Sequence, residues 1–289
     1  MKKTHFAILV IAVIVILISI GLSGYSAYLG SQNSSFLSKQ IEFDNNVNAA
    51  LVYQNSLQQA TIRALIDINN SLQLESESHF EQIMDSLDNS VLMIMSGPAN
   101  ASDSTQQDII FVDAQGNSWK IGTGFSINKR GTIMTARHVV ENSPLVRIVL
   151  KDGTWINVPN KDIYLHTQAD LAILDINSGL PPVNLIKTGV ISTGAEIGFI
   201  GFPLGNDSVL TRTKTKGNVS ALFNYAYNGH KIPAYVINSF VNHGNSGGPL
   251  FSMKTGEVIG LINAVHAETN GIGVATILDQ GYIPAQFVN

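Results

Sequence analysis

The sequence predicts an all-β domain, a sandwich or a barrel, that follows an apolar N-terminal helix and a long helical stalk. All nine prolines and twenty-two of the twenty-five glycines follow residue 96, so turns are concentrated in the back of the chain. After residue 88, short apolar runs rich in β-branched residues recur between turn residues, a pattern typical of strands. Before residue 88, one uncharged run and one stretch without glycine or proline predict two helices.

The first element is an uncharged run of seventeen residues, Phe6–Leu22, near the N-terminus. As a helix it would span roughly 25 Å, close to the ~30 Å of a bilayer's hydrocarbon core. Lys2 and Lys3 precede the run, and the positive-inside rule then places the N-terminus in the cytoplasm. We therefore predict that residues 1–30 form a cytoplasmic tip and a transmembrane anchor, with the rest of the chain extracytoplasmic, either periplasmic or extracellular.

Two other interpretations of this run stay open. A cleaved signal peptide has an apolar region of about 7–15 residues, with small residues at the last and third-last positions before the cut. Ala27 would pair with Tyr25, and Gly24 with Leu22, so neither cut fits well. An ordinary buried helix is the third interpretation, and it alone would not export the remaining chain.

Residues 31–87 are predicted to form a helical stalk. No glycine or proline occurs between residues 31 and 96, which favours a continuous helix. Apolar residues recur at three-and-four spacing, but polar residues such as Asn48, Asn55 and Asn69 interrupt the same stripe. Two basic and eight acidic residues between 31 and 88 suit a solvated helix. The stalk is thus either a loose spacer or a possible coiled coil that would join copies of the chain into a homo-oligomer.

Composition excludes several classes of function. Seventeen Lys and Arg against twenty-one Asp and Glu give a net charge of −4 without a dense basic block, which disfavours a nucleic-acid partner. The chain has no cysteine, which excludes disulfides, thiolate metal sites and cysteine nucleophiles. The histidines other than His138 show no ligand spacing, so neither a metal nor another cofactor is expected.

Residues 88–289 carry the β pattern. Turns such as Lys151-Asp152-Gly153 separate the apolar runs, and nothing shows the regular strand–helix alternation of a parallel sheet. The predicted strands are Val91–Met95, Ile109–Val112, Trp119–Ile121, Gly124–Ile127, Thr132–Thr135, Val146–Leu150, Trp155–Val158, Leu171–Ile176, Glu196–Ile200, Ala234–Ile237, Glu257–Ile262 and Gly273–Thr276.

Three segments of this domain carry residues suited to one chemistry. His138 ends an apolar run, Asp170 opens another, and Ser246 lies in the glycine-rich loop Gly244–Leu250. A hydroxyl is a weak nucleophile and needs a base, a task that neutral imidazole can perform near pH 7. The imidazole in turn needs a buried carboxylate that holds its tautomer. The order His, Asp, Ser, with separations of 32 and 76 residues, favours nucleophilic catalysis by these three side chains.

The loop around the serine predicts an oxyanion hole. Glycines on both sides of Ser246 permit a sharp turn and a close approach of the backbone. The amides of Gly244 and Ser246 could then point at one position, where a carbonyl oxygen gains charge during acyl transfer. Taken singly, the histidine could be a satisfied polar residue, the aspartate a turn or cap residue, and the glycine cluster a plain loop. Their conjunction favours the catalytic interpretation.

Four further segments join these three: Gly122–Ile127, Gly201–Pro203, Gly256–Asn263 and Gly271–Ala275. Together, the seven segments resemble the HtrA (Deg) family of chymotrypsin-fold serine proteases, over residues 88–289. The resemblance implies two six-stranded antiparallel β-barrels with a catalytic cleft between them. His138 and Asp170 would come from the first barrel and Ser246 from the second. It also implies that Ser246 is the nucleophile, His138 the general base and then acid, and Asp170 the orienting carboxylate.

The same resemblance assigns the walls of the substrate pocket to Phe240, Ile262, Asn263 and Ala264. Residues 238–241 include no carboxylate, so specificity for Lys or Arg is not expected, and Phe240 would favour small or medium aliphatic side chains. Asn245 stands where digestive relatives carry an aspartate, so activation by clipping of the N-terminus is not expected. Only 43 residues follow Ser246, too few for the PDZ domain that the family usually carries, and trimerisation, common in the family, stays open.

These features predict a membrane-anchored serine endopeptidase that cleaves unfolded or damaged extracytoplasmic proteins, as in protein quality control. Its partners would be protein or peptide substrates and, through the N-terminal helix, the membrane. A narrow-specificity processing or signalling protease is one alternative. The other is a proteolytically silent chaperone or binding module on the same fold.

Overall fold

A computed structural model describes residues 17, 34–99, 110–112, 116, 118–187, 189–203, 211–263, 272–278 and 280–287. The predicted transmembrane run, residues 6–22, lies outside this part of the chain apart from Leu17. Among the residues described, no helix combines the length and the apolar composition that crossing a bilayer requires.

A single helix, α1 (Ser34–Leu87), runs through the segment predicted to be helical. The chain divides into two compact units, Met1–Glu77 and Ser78–Asn289, and α1 starts in the first and ends in the second. Within the first unit, most described side chains of α1 are exposed, including large apolar ones such as Val52 and Leu74. The self-association of this helix stays a prediction.

The last turns of α1 pack into the second compact unit. Ile83, Met84 and Leu87 are buried in its hydrophobic core, and the His79 Nε2 atom lies 2.8 Å from the Met253 carbonyl oxygen. The second unit therefore includes about three turns of helix before its first strand. The domain boundary predicted at residue 88 stays a prediction.

The second unit is mostly β, as predicted, and its described strands pair antiparallel. One short helix, α2 (Arg137–Val140), follows the fourth strand, and three 3₁₀ turns occupy Asn160–Asp162, Gln280–Tyr282 and Ala285–Phe287. The strands are β1 (Val91–Ala99), β2 (Ile110–Val112), β3 (Ser118–Ser126), β4 (Ile133–Thr135), β5 (Leu145–Val149), β6 (Trp155–Val158), β7 (Ile163–Leu165), β8 (Ala172–Leu174), β9 (Glu196–Gly201), β10 (Thr213–Tyr227), β11 (His230–Asn238), β12 (Pro249–Ser252), β13 (Val258–Asn263) and β14 (Ile272–Ile277).

The C-terminal half closes into a six-stranded barrel, in the order β10-β11-β14-β13-β12-β9. Its interior holds Phe199, Tyr235, Leu250 and Ile259, all of them fully buried. Strands β10 and β11 extend into a long hairpin whose register runs from Asn218 opposite Asn238 to Tyr227 opposite His230. One of the two predicted six-stranded barrels is therefore confirmed.

The N-terminal half differs from the prediction of a second six-stranded barrel. It is an eight-stranded sheet in the order β6-β5-β1-β3-β4-β8-β7, with β2 paired to β3 outside this path. The sheet stays open because its two edge strands, β6 and β7, are not hydrogen-bonded to each other in the part of the chain that the structure describes. Strands β4, β7 and β8 have only three residues each, which limits how far the sheet can curl.

Buried apolar side chains pack against this sheet, and one guanidinium group on it lies between two tryptophan rings. Phe125, Met134 and Ile173 are fully buried in the core. The guanidinium carbon of Arg147 lies 4.6 Å from the centroid of the Trp119 ring and 5.5 Å from that of Trp155. Both distances are within the range of cation–π attraction.

Candidate active site

A narrow cleft brings two of the predicted catalytic residues together. Its described lining residues are Lys120, Ile121, His138, Val139, His243, Gly244 and Ser246. Lys120 and Ile121 belong to β3 of the open sheet, and His138 and Val139 belong to α2, which follows β4. The other three residues belong to the loop before β12 of the closed barrel. The cleft therefore lies where the two halves of the second unit meet.

His138 is held by the short helix α2. The helix starts after the buried Ala136 and ends where the Glu141 N–H donates to the Arg137 carbonyl oxygen at 2.9 Å. Arg137 Nε donates to Glu141 Oε2 at 2.7 Å, and its Nη1 donates to the His166 carbonyl oxygen at 2.9 Å. These bonds fix the backbone on both sides of the histidine.

Asp170 lies two residues before β8 and binds His138 twice. The His138 Nδ1 atom is 2.6 Å from Asp170 Oδ2, and the His138 backbone N–H donates to Oδ1 at 2.9 Å. A carboxylate accepts hydrogen bonds, so Nδ1 carries the hydrogen and the other ring nitrogen, Nε2, is left as the basic one. This is the tautomer that can take a proton from a serine hydroxyl.

The Asp170 carboxylate is ionised at neutral pH although it is only 3% exposed. Burial alone would raise its pKa, but hydrogen bonds and charge attraction from His138 and a hydrogen bond from Asn263 outweigh burial and lower the pKa below its ordinary value. A negative charge is therefore held beside the imidazole, where it stabilises the imidazolium form.

Asn263, which was predicted to line the substrate pocket, has its side chain hydrogen-bonded to Asp170. Its Nδ2 donates to Asp170 Oδ2 at 2.8 Å, and its Oδ1 accepts hydrogen bonds from the backbone N–H and the hydroxyl of Thr276, at 2.9 and 2.6 Å. The Tyr225 hydroxyl lies 2.8 Å from Thr276 Oγ1. The signal in the sequence was a lone asparagine at the end of an otherwise apolar run, which indicated a buried polar group but not its partner.

The loop that carries Ser246 is a tight turn that requires glycine. Gly244 and Gly247 have φ values of +89° and +83°, which residues with a side chain rarely adopt. A Cβ atom on Gly244 would lie 2.1 Å from the Phe202 carbonyl oxygen, and one on Gly247 would lie 2.2 Å from Thr135 Oγ1. The Gly248 N–H donates to the Asn245 carbonyl oxygen at 2.9 Å and closes the turn around Ser246.

Thr123 joins the open sheet to this loop, a role that sequence reasoning missed. Its hydroxyl donates to the Gly244 carbonyl oxygen at 2.7 Å and accepts from the Phe202 N–H at 3.1 Å. Its backbone N–H donates to the Ser246 carbonyl oxygen at 2.8 Å. The predicted motif around Thr123 thus positions the serine loop, and its only signal in the sequence was a threonine between two glycines.

Asn245 is not among the described residues that line the cleft. It is 2% exposed, and an ideal Cβ atom on Gly201 would lie 2.3 Å from its Oδ1. That oxygen has no hydrogen-bond partner within the described ranges. A carboxylate would carry a charge into this buried position, so the asparagine is the less costly residue here.

Three of the residues predicted to wall the substrate pocket, Phe240, Ile262 and Asn263, are not among the described residues that line the cleft. Phe240 is 74% exposed, and Ile262 is fully buried in the core of the closed barrel. Asn263 binds Asp170, as described above, and Ala264 lies outside the described residues. The Ile262 backbone does reach the serine loop, because its carbonyl oxygen accepts from the Gly247 N–H at 2.7 Å. The pocket assignment stays a prediction.

The described residues contain no group of three or more His, Asp or Glu side chains that could hold a metal ion.

Residues 122–261 match the family described as Trypsin-like peptidase domain. This match covers just under half of the chain, and over these residues the chain is similar to a trypsin-like peptidase domain. The matched residues run from β3 to β13 and include His138, Asp170 and Ser246.

Curated relatives of this trypsin-like domain are named as serine proteases, several of them as DegP-like. HhoB of Synechocystis sp. is 33% identical over 159 residues, which is 53% of this chain and 36% of HhoB. A protein of Halomonas elongata, named as a DegP-like periplasmic serine endoprotease, is 32% identical over 162 residues, which is 55% of this chain and 33% of the relative. The chain thus spans about a third of the length of these relatives.

Solved structures share the fold of the trypsin-like domain. The active form of the Rv3671c protease from M. tuberculosis superposes with a TM-score of 0.53 at 22% identity, covering 70% of this chain and 80% of that one. The HtrA-type protease AlgW, solved with a tripeptide, gives a TM-score of 0.52 at 22% identity, covering 68% and 59%. At this identity the likeness concerns the fold alone.

Proposed function

We propose that the trypsin-like domain is a serine endopeptidase that hydrolyses peptide bonds through an acyl-enzyme. One observation carries the proposal: His138 Nδ1 lies 2.6 Å from a buried, ionised Asp170 while His138 lines the same cleft as Ser246. A histidine held in this tautomer beside a serine in a glycine turn is the arrangement that acyl transfer requires.

In the first half of the reaction, the Ser246 hydroxyl oxygen attacks the carbonyl carbon of the scissile bond while His138 Nε2 takes the hydroxyl proton. The charge on the carbonyl oxygen is stabilised by the N–H groups of Gly244 and Ser246. As the tetrahedral intermediate collapses, the C–N bond breaks, and His138 gives its proton to the leaving amine. The acyl group stays on Ser246 as an ester.

In the second half, water replaces the amine. His138 takes a proton from the water, whose oxygen attacks the ester carbon, and the same oxyanion donors stabilise the second intermediate. The C–O bond to Ser246 then breaks, and His138 returns the proton to the serine oxygen. The enzyme is regenerated, and the product is a carboxylic acid. Throughout, Asp170 stays ionised and keeps the imidazole oriented.

The finer proposal is that residues 6–22 anchor this domain in a membrane and that its substrates are unfolded or damaged extracytoplasmic proteins. The uncharged run and the preceding Lys2 and Lys3 support the anchor. The periplasmic name of the Halomonas elongata relative supports the location, and it supports nothing about the substrate. We keep proteins, rather than free small molecules, as the substrate class because the relatives are named as endoproteases.

The first test is the Ser246→Ala variant of the full chain. We expect it to lose casein hydrolysis and covalent labelling by a fluorophosphonate, because both reactions need the serine oxygen as nucleophile. The matched control is Ser252→Ala, which removes another buried hydroxyl of the same barrel, at a serine that is 5% exposed like Ser246. The control should keep both activities. Undiminished hydrolysis by Ser246→Ala would refute the proposed mechanism, and a wild type that is neither labelled nor active would indicate a silent binding module.

A further inference from the structure

The bonds around Asn263 form a chain with a fixed direction. The backbone N–H of Thr276 can only donate, so the amide atom that faces it at 2.9 Å must be the oxygen, Oδ1. The NH₂ group of Asn263 therefore faces Asp170, and it donates to Oδ2 at 2.8 Å. In the flipped amide, the oxygen would face a carboxylate and the NH₂ group would face an N–H donor, and both contacts would be repulsive.

The hydroxyl of Thr276 extends the chain by one step. It lies 2.6 Å from Asn263 Oδ1, which has no hydrogen to give, so the threonine hydroxyl is the donor. Its oxygen is then free to accept, and the Tyr225 hydroxyl at 2.8 Å must be the donor to it. All hydrogens of the chain thus point from Tyr225, through Thr276, to the oxygen of Asn263.

The surroundings keep this chain intact. Asn263 is 1% exposed and Thr276 is fully buried, so water does not compete for their hydrogen bonds. Burial raises the pKa of Tyr225 to about 12, and the nearby charge of Asp170 acts in the same direction. The tyrosine hydroxyl therefore keeps its hydrogen across the pH range in which a protease works. Among the other charged and titratable groups near Asp170 are Arg137 and Tyr227.

We propose that Asn263 is a positioning residue that holds Asp170, and through it His138, and that Thr276 and Tyr225 fix the orientation of its amide. The proposal rests on the function proposed above. Asp170 Oδ2 accepts hydrogen bonds from both His138 and Asn263, so the asparagine competes for electron density on the oxygen that binds the imidazole. Asn263 thereby sets both the orientation and the basicity of the histidine, although it does not touch the substrate.

The central experiment compares the pH profiles of kcat/KM for the full-length wild type and Asn263→Leu. Loss of a hydrogen bond to a charged group should lower kcat/KM roughly tenfold, mainly through kcat, because the substrate is not contacted. Without this donor, Asp170 attracts the imidazolium form more strongly, so we expect the acid limb of the profile to move to higher pH. A purely structural role would lower activity at every pH without moving the limb.

Two milder variants keep the test decisive if Asn263→Leu does not fold. Thr276→Val removes one hydroxyl but keeps the backbone donor. Tyr225→Phe removes the last hydroxyl of the chain, which is also hydrogen-bonded to the Asp170 backbone. We expect both variants to shift the profile in the same direction as Asn263→Leu. The matched control is Tyr235→Phe, since the Tyr235 hydroxyl is also buried in this barrel but accepts from the Ile191 N–H at 3.1 Å, away from Asp170. It should leave the profile unchanged.

A second measurement does not depend on hydrolysis. The hydrogen on His138 Nδ1 is expected to give a downfield proton resonance in nitrogen-15-labelled protein, and that resonance should move in Asn263→Leu and Thr276→Val but not in Tyr235→Phe. A wild type without hydrolysis would sink the proposed function and leave this test of the hydrogen-bond chain valid. Folded Asn263→Leu or Thr276→Val protein with the pH profile and the resonance of the wild type would overturn the positioning role.

Discussion

Asp88, the residue that follows α1, is the carboxylate on which two cations converge. Its Oδ1 lies 2.7 Å from Arg212 Nη1, and its Oδ2 lies 2.7 Å from Lys151 Nζ. The same arginine donates to the Val91 carbonyl oxygen at 2.9 Å, and its guanidinium carbon lies 5.3 Å from the centroid of the Phe202 ring. The backbone of Phe202 borders Gly244, so this cluster extends from the end of the helix to the serine loop.

The Asp88 cluster predicts a stability that depends on pH. Burial raises the pKa of Asp88, but hydrogen bonds from Lys151 and Arg212 outweigh it and lower the pKa below its ordinary value. A lowered pKa contributes stability above the pKa of the unfolded chain, about 3.9, and this stability is lost as the pH falls through the folded value. We expect Asp88→Asn to lower the free energy of unfolding by about 1.5–3 kcal/mol at pH 7, and by less below about pH 4.

Urea unfolding at pH 7 and pH 3 measures this difference, and Asp85→Asn is its control. Asp85 lies at the end of the same helix and binds Lys214 at the same distance of 2.7 Å, but its side chain is 74% exposed. An exposed pair contributes under ~1 kcal/mol, so the control should change little at either pH. Equal effects of the two substitutions, or an Asp88→Asn effect that does not vary with pH, would contradict the prediction.

At the scale of residues, the sequence could name candidate reactive groups but not the hydrogen-bond partners of the residues around them. His138, Asp170 and Ser246 could be named because each belongs to a residue type with one chemical role in acyl transfer. The hydrogen-bond partners of Asn263 and Thr123 could not be predicted, because an amide or a hydroxyl forms hydrogen bonds with whatever the fold brings near it. Their partners come from segments 93 and 121 residues away, and no local pattern encodes such pairings.

At the scale of elements, the serine loop depends on space as well as on backbone freedom. Gly247 and Gly153 have nearly the same φ, +83° and +82°, so an added Cβ strains the backbone equally at both. On Gly153 that Cβ would meet nothing within 4 Å, whereas on Gly247 it would lie 2.2 Å from Thr135 Oγ1 and 2.3 Å from the Thr123 carbonyl oxygen.

Alanine at each of these glycines separates the two effects. Gly153→Ala should cost about 1–2 kcal/mol, the penalty of a left-handed backbone, and keep wild-type labelling by the fluorophosphonate. Gly247→Ala should lower the melting temperature further and abolish labelling, because the loop must move away from β3 and β4. Thermal unfolding and labelling rates measure both. Labelling of Gly247→Ala at the rate of the wild type would show that the loop tolerates this movement.

The positions of most strands could be predicted from the sequence, but the closure of each sheet could not. Turn residues and apolar runs located most strands, and the closed barrel follows from six long or well-buried strands that each find two partners. The openness of the other sheet could not be predicted, because it depends on whether two short edge strands meet. The burial of the last turns of α1 could not be predicted either, because Ile83 and Leu87 belong to the same apolar stripe as the exposed residues before them.

At the scale of the whole molecule, the absence of cysteine makes the proposed topology directly measurable. A single cysteine introduced as Lys39→Cys, behind the uncharged run, should react with a membrane-impermeant maleimide in intact cells or spheroplasts. A cysteine introduced as Lys2→Cys, ahead of the run, should react only after lysis. The two sites are matched, because both replace a lysine of the natural chain. Labelling of both sites only after lysis would contradict an extracytoplasmic domain.

The stack around Arg147 restricts intrinsic tryptophan fluorescence to one half of the trypsin-like domain. Trp119 and Trp155 are the only tryptophans in the sequence, and both flank one guanidinium group on the open sheet. Emission excited near 295 nm therefore reports on the loosening of that sheet, while the closed barrel could melt without a signal. Light absorbed by tyrosine, or a tryptophan placed at Phe199, would reveal whether the barrel that carries the serine outlasts the sheet that carries the histidine.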